Sequence, residues 1–473
     1  MGRRLRLEWR LLRADGTVPL IAVLFALASL LALVNGHRWV VAQRAAQVTA
    51  AHEEQTRHAA QQADIARLES GALTLPAFAD PRNPQAAAGR LGPRYAMLPH
   101  APLAALAIGQ SDVLPSYLKV TTEAREQVLA AAETTNPHHL LSGRFDLAFV
   151  VIYLLPLLIL AGSYDLLSAE RERGTLRLAL SQPVSARSLL AGKLAVRAAL
   201  YAALVATLAL LAWSTVVDRS AAGGAATMAV WVVCVLAYGG FWFALAALVN
   251  GWGRPSATNA MVLASGWLLF VVLVPSMTNV VAQAAYPVPS RVEMIQAMRV
   301  AAEETSRQGS QVLARYYDDH PELAGGGART ATDASLLRVA IDAEIAARVH
   351  PVSARYETQL AGQQQVVARL RLLSPALLLQ DALNDLSGTG QARHQWYTAA
   401  VSAFHAQWRD YFTGLIRARQ PVLRYDDLPR FAFADESAAV LARRVGGSLA
   451  WLVAAAALAG VAAAITLRRV SVV

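Results

Sequence analysis

Six stretches of the chain are predominantly apolar, and polar segments of very different lengths separate them. The hydrocarbon core of a bilayer is about 30 Å thick, so a helix needs roughly 20 apolar residues to cross it. The backbone groups of such a stretch must bond one another, and each stretch is therefore predicted to be a helix. The predicted spans are residues 18–35, 146–167, 194–217, 225–250, 257–282 and 445–467.

Arginines beside these spans predict their orientation. Residues 1–17, the 168–193 connection and the 468–473 tail are rich in arginine, and Arg254 lies in the short turn between the fourth and fifth spans. Six crossings place all four on one side, which the bias of basic residues assigns to the cytoplasm. Both termini are therefore predicted to be cytoplasmic, in a bacterial inner membrane. Arg443 and Arg444, at the outer end of the last span, run against this rule.

Residues 36–145 and 283–442 are then predicted to lie outside, and both are far longer than connecting loops usually are. Trp39–Ser70 contains no glycine or proline and is predicted to continue the first helix beyond the membrane. The second segment is predicted to form helices over residues 291–318, 332–373, 375–386 and 393–417, and the two segments are predicted to pack together. Within the second of these helices, apolar residues recur at helical spacing on one face, as in an amphipathic helix; they are Ala334, Leu337, Ile341, Ile345 and Val349. The predicted fold is an all-α integral membrane protein with six transmembrane helices and a mostly helical extracytoplasmic domain.

Composition supports the membrane class, since 55% of the residues are hydrophobic and 16% are charged. The net charge of +10 comes mainly from arginines beside apolar spans, which favours anionic lipid over nucleic acid as the partner. The arginine-rich N-terminus, with Trp9, is predicted to form an amphipathic interfacial helix within residues 1–17. Cys234 is the only cysteine, so neither a disulfide within the chain nor a thiolate metal site is expected.

The segment Tyr164–Lys193 is the most specific part of the chain. Ser168 is predicted to cap a short helix whose charged residues are solvated, and Gly174 is predicted to break that helix. Thr175 then begins an apolar turn, and Pro183 redirects the chain toward the next span. A short, charged helix–break–helix element on the cytoplasmic side suits docking to a soluble protein.

Three elements follow one another there: Glu170…Gly174-Thr175-Leu176, Pro183-Val184-Ser185 and Gly192-Lys193. In this order they resemble the ABC-2 type transporter permeases, whose second and third helices are joined by E-x-x-x-G-T-L, P-V-S and G-K. The resemblance implies that residues 168–193 are the coupling segment seated in the cleft of an ATP-binding subunit. The residues it implicates are Glu170, Arg171, Glu172, Gly174, Thr175, Leu176, Pro183, Val184, Arg187, Gly192 and Lys193.

Further elements resemble one group of these permeases, which carry large extracytoplasmic insertions of unknown function after the first and fifth helices. They are Gly109-Gln110-Ser111-Asp112, Gly143-Arg144-Phe145-Asp146-Leu147, Ser374-Pro375-Ala376 and Arg393-His394. Relatives in this group are linked to gliding motility and to the maturation of nitrous oxide reductase. The resemblance covers nearly the whole chain but implies no particular substrate.

The chain contains no G-x-x-x-x-G-K-[ST] sequence to hold a nucleotide phosphate. It is therefore expected to be neither an enzyme nor a cofactor-binding protein, and ATP and Mg²⁺ are expected on a partner. The implied partners are two ATP-binding subunits, a second permease subunit (the same chain or a sister), membrane lipid and a periplasmic protein. An alternative is a scaffold that transmits ATP-driven movement to that periplasmic protein. A receptor is disfavoured, because the cytoplasmic parts are too short for a signalling domain.

Polar residues within the spans are costly and are candidates for a translocation path. Those singled out are Pro156, Asn259, Ser265, Ser276, Thr278 and Asn279. The alternative interpretation is that their hydroxyls and amides only bond neighbouring helices. His138-His139 and the pair His394 and His405 could suggest copper ligands. Adjacent histidines at a membrane boundary are usually surface residues, however, and metal ligation is disfavoured for both pairs.

Overall fold

The computed structural model describes residues 17–112, 114–123, 145–181, 185–219, 223–319 and 331–468. Regular structure in these ranges is helical, apart from a two-stranded antiparallel sheet of β1 (Arg94–Met97) and β2 (Tyr117–Val120). A predominantly helical protein is thus confirmed, whereas the sheet was not predicted. Several predictions fall outside the described residues; they concern the helix near the N-terminus, His138-His139, Pro183-Val184 and the last residues of the tail.

The helices used below are numbered in chain order, and α2 and α7 each contain a π-helical turn. Their bounds are α1 Thr17–Glu69, α2 Leu147–Ala161, α3 Ser168–Glu172, α4 Thr175–Leu180, α5 Ala186–Thr215, α6 Gly224–Gly251, α7 Ser256–Ala285, α8 Arg291–Arg307, α9 Gly309–Asp319, α10 Ala331–Leu370, α11 Pro375–Leu386, α12 Gln391–Arg417 and α13 Ala438–Thr466. A short helix, Pro84–Ala86 with the π-helical turn Ala87–Leu91, is not numbered.

Five of these helices, namely α1, α5, α6, α7 and α13, are long and apolar enough to cross a membrane. They are compatible with a multi-pass membrane protein. The predicted second span is a shorter apolar helix, α2, because the chain leaves helical geometry after Ala161 and continues in turns to Leu167. A sixth crossing through residues 146–167 stays a prediction.

Helix α6 lies at the centre of the apolar bundle and packs against α2, α5, α7 and α13. Its aromatic residues Trp231, Tyr238 and Trp242 are fully buried. Half of the residues in the most apolar 18-residue stretch of α6 are buried, whereas only 11% are buried in the corresponding stretches of α7 and α13. The two peripheral helices therefore keep broad outward faces.

The two long segments pack together, as predicted. One core joins Ile65 of α1 and Ala96 of β1 to the aromatic side of α12. Tyr397 donates a hydrogen bond to the carbonyl of Ala96 at 2.8 Å, and Trp408 donates to the carbonyl of Ala88 at 3.0 Å. The prediction that α1 continues beyond residue 35 is confirmed, because α1 runs unbroken for 53 residues.

The rest of the second segment forms α8, α9 and the first half of α10. The predicted helix over residues 291–318 is divided at Gln308, which ends α8. The predicted apolar face of α10 is present, and Ile345 and Val349 pack against Met298 and Ala301 of α8.

Helix α11 belongs to the second long segment in sequence but packs within the apolar bundle. Leu378, Leu379 and Leu383 share the core of the candidate spans, and α11 contacts α6 and α13. In the last turn of α11, Asp385 binds Arg444, whose guanidinium also binds Glu436 at 2.6 Å. These two carboxylates compensate an arginine that runs against the charge rule.

Candidate functional site: the coupling segment and a carbonyl collar

The coupling segment has the predicted helix–break–helix form in its described part. Helix α3 ends next to Gly174, whose φ of 74° lies in the left-handed region, and α4 begins at Thr175. No atom lies within 4 Å of the position that a Cβ on Gly174 would take, so the backbone conformation alone favours glycine there. The Thr175 hydroxyl donates to the carbonyl of Glu170 at 3.1 Å and bridges the break.

Two residues of α3 attach the segment to the turn between α6 and α7. The Glu172 carboxylate accepts from the Ser256 backbone N–H at 2.7 Å and from its hydroxyl at 3.1 Å. A carboxylate at this place also interacts favourably with the N-terminal end of the α7 dipole. The Arg171 guanidinium lies against Gly253, where a Cβ would come within 2.6 Å of Nη1. The coupling segment is thus bound to the start of α7.

Glu170 and Lys193 form an ion pair inside the site, with 2.6 Å between Oε1 and Nζ. The Lys193 side chain is 10% exposed and that of Glu170 is 26% exposed. Both were expected to contact a partner, and Glu170 was expected to be solvated; instead they shape the segment from within. Ser168 was expected to cap α3 but is buried, and its hydroxyl oxygen lies 2.8 Å from that of Ser256.

Four carbonyl oxygens after the end of α2 are each bonded by a side chain from another helix, and we call this arrangement the carbonyl collar. Carbonyls at a helix end lack intrahelical donors and need such partners. The pairs are Arg197 to Gly162, Asn250 to Ser163 at 2.9 Å, Asn259 to Tyr164 at 3.2 Å and Lys193 to Leu166 at 2.9 Å. The collar therefore ties the end of α2 to α5, α6 and α7.

The candidate path residues separate into two groups. Asn259 is buried in the collar, and Thr278 is buried with its hydroxyl bonded to the carbonyl of Val274 at 2.8 Å. Asn259 supports the alternative interpretation, in which polar groups bond neighbouring helices, whereas the Thr278 hydroxyl is satisfied within its own helix. Ser265, Ser276 and Asn279 are exposed on α7, and Pro156 is buried in α2.

The outward surface of the coupling segment is small and mixed. Arg173, Thr175 and Arg187 are exposed, and Leu178 is 72% exposed, whereas Leu176 is buried. Arg171 and Gly174 are exposed as well, and Gly192 is half-buried. The exposed residues of this surface therefore include one large apolar side chain, Leu178, and charged side chains of both signs, including Glu172.

The two described histidines considered as metal ligands have other surroundings. His405 is buried, and its Nε2 lies 2.7 Å from the carbonyl oxygen of Glu123. Burial lowers the pKa of His394 to about 4, and its ring packs against Tyr397. The position of each histidine is therefore accounted for by its contacts with other residues of the two long segments.

Sequence reasoning missed Arg197, Asn250 and Ser256 as site residues. The signal was available for two of them, because Arg197 is a charge within a predicted span and Asn250 ends another. Their role depends on which helix ends meet, and no sequence pattern states that.

The profile of a domain of unknown function (DUF3526) matches residues 291–434, which extend from α8 to just before α13. No curated protein and no solved structure matches the chain. The matched region includes α11, so the similarity reaches into the apolar bundle.

Proposed function

We propose that this chain is the permease subunit of an ABC-2 type, ATP-driven exporter in a bacterial inner membrane, with both termini cytoplasmic. A separate ATPase subunit hydrolyses ATP, and this chain couples that reaction to export of a substrate. The observation that carries the proposal is the coupling segment, which is bonded to the start of α7 and to the turn after α2 while it exposes Leu178.

The contacts suggest how movement passes inward. A displacement of α4 by the ATPase acts through α3 on the N-terminus of α7, because Glu172 holds Ser256. The same displacement acts on the end of α2 through Lys193, which holds both Glu170 and Leu166. The second and fifth spans would therefore change their relative angle.

A second permease subunit accounts for the outward face of α7. Ser265, Ser276 and Asn279 are exposed there, and polar groups facing lipid are unfavourable. A partner permease, identical or a sister, would cover them and complete a path. In that assembly α2 makes the sixth crossing. The packed parts of residues 36–145 and 283–442 form the extracytoplasmic domain, and we call them the outer domain below.

The test is co-purification of the full chain with ABC-type ATP-binding subunits from the same genome. Leu178→Asp is expected to abolish association and ATPase stimulation, because it places a carboxylate in the docking surface. The matched control is Leu423→Asp, which changes another exposed leucine in the long outer segment. Unaltered association of the Leu178 variant would contradict the coupling assignment.

One observation favours the alternative function in mechanical transmission. Helix α1 joins a candidate span to the outer domain without a break. If ATP changes the outer domain in proteoliposomes while no cargo of any tested class crosses, transmission is supported over export.

A further inference from the structure

Helices α2 and α7 share an unusual local structure. Each contains a π-helical turn, Val150–Leu154 in α2 and Leu268–Leu273 in α7, and each turn is followed within two residues by a proline, Pro156 or Pro275. Proline has no N–H, so a carbonyl four or five residues earlier loses its backbone donor. In an apolar bundle such a carbonyl needs a substitute donor.

Side chains from other elements donate to the carbonyls of Ile152, four residues before Pro156, and of Phe270, five residues before Pro275. A third bond goes to the carbonyl of Tyr153, which lies in the α2 turn only three residues before Pro156. Tyr238 of α6 donates to the carbonyl of Ile152 at 2.9 Å, and Trp267 of α7 donates to that of Tyr153 at 3.1 Å. Ser374 donates to the carbonyl of Phe270 at 2.6 Å. The turn in α2 is therefore bonded to α7, and the turn in α7 is bonded to the residue that precedes α11.

Ser374 has two roles at once. Its side-chain oxygen caps α11 by accepting from the Leu377 N–H at 3.2 Å, while its hydroxyl hydrogen goes to Phe270. The residue is fully buried, and the apolar face of α11 behind it packs against α6 and α13. A change in the π-helical turn of α7 therefore acts directly on the start of α11.

We propose that Ser374 is a positioning residue that fastens the region matched to the domain of unknown function onto the interrupted helix α7. A continuous route then runs from Glu172 of α3 to Ser256 at the start of α7, along α7 to Phe270, and on to Ser374 and α11. The contact of Ser374 with α7 lies within this chain and does not depend on a partner. The ATP-driven movement that this contact would transmit rests on the proposed function.

Hydrogen exchange of the full chain in lipid nanodiscs tests the fastening without any ATPase. Ser374→Ala is expected to speed exchange roughly tenfold in peptides covering residues 271–276 and 375–380, since about one well-made buried hydrogen bond is lost at each. The matched control is Ser290→Ala, which removes the cap of α8, where Ser290 accepts from the Glu293 N–H at 3.2 Å. The control is expected to change exchange only near the start of α8, and Ser374→Thr should restore protection. Unchanged exchange over residues 271–276 in Ser374→Ala would overturn the proposal.

A second measurement tests transmission in the complex with the ATPase subunit. Spin-label pairs at Arg173 and Arg254, and at Gln380 and Val440, report on the coupling segment and on α11 respectively; all four sites are exposed. Nucleotide is expected to shift both distances in the unmodified chain but only the first in Ser374→Ala. An equal shift of the second distance in Ser374→Ala would refute transmission through Ser374. Absence of any shift in the unmodified chain would refute the exporter proposal, and the exchange result would still decide the fastening.

Discussion

The carbonyl collar and the centre of the outer domain both use buried polar side chains to hold distant segments, but they divide the bonds differently. In the collar, four carbonyl oxygens are bonded by four side chains from three helices. In the outer domain, the single guanidinium of Arg94 bonds the carbonyls of Tyr425, Leu428 and Pro429. Its Nη1 also binds Glu54 at 2.7 Å and lies 2.9 Å from Nδ1 of His58.

The difference suggests different mechanical behaviour. The collar can lose or exchange one bond while three remain, so its helices can move by steps. The Arg94 cluster holds or fails as a unit, which suits a domain that moves as one body. The expected effects of substitutions follow this contrast.

Arg94→Met should have the largest effect, because it removes the bonds to three carbonyls and leaves the Glu54 carboxylate without its cation. Breaking a buried ion pair costs about 3–5 kcal/mol. The loss of stability is measured by heating the purified full chain and using proteolysis of the outer domain as the readout of unfolding. The control is Arg348→Met, which breaks a more exposed pair with Glu344 and should cost under about 1 kcal/mol. Equal effects of the two variants would contradict the central role of Arg94.

Lys193→Met should cost less, about 2–3 kcal/mol, since the other three collar bonds remain while Glu170 and the Leu166 carbonyl lose their donor. Adding Glu170→Leu should recover most of the loss, because no uncompensated charge is then left. Melting temperatures of the single and double variants in detergent provide the comparison. A double variant less stable than Lys193→Met would show that the pair is not what holds the segment.

Acidification should weaken the outer domain through His58. Burial, and then the nearby charge of Arg94, lower the pKa of His58 below 6.5, although Glu54 partly opposes this. Because the folded-state pKa is depressed, the stabilisation is present above about pH 6.5 and is lost as the pH falls through the folded-state pKa. Melting curves between pH 7.5 and 5 should show this decline, and His58→Gln should flatten it. A decline of the same size in His58→Gln would assign it to another group.

Gly174→Ala should have the smallest effect, a loss of about 1 kcal/mol of stability, because alanine is strained in the left-handed backbone conformation. The matched control, Gly192→Ala, lies within α5 and should stabilise by up to about 1 kcal/mol through helix propensity. Opposite signs in the two melting curves are the expected result. The same sign would remove the conformational argument for Gly174.

Much of the helical structure could be predicted from residue patterns, for physical reasons. Apolar stretches long enough to cross a bilayer identified five candidate spans, and α11 and α12 begin at or within two residues of their predicted starts. The small sheet escaped prediction because β1 and β2 lie in a proline-rich stretch without a clear alternation of apolar and polar residues.

The candidate site was only partly predictable. The break at Gly174 follows from local chemistry, but the inward positions of Glu170, Lys193 and Asn259 depend on which helix ends come together. The same holds for α11, whose apolar sequence does not distinguish a place in the outer domain from one among the spans.

The unbroken α1 has a consequence for the size of any movement. At 1.5 Å per residue, residues 36–69 extend roughly 50 Å beyond the predicted span. A tilt of about 5° at the inner part of this rod would carry its far end sideways by roughly 4 Å. The molecule thus contains a lever, and small angular changes among its apolar helices become displacements as large as a side chain at the outermost surface.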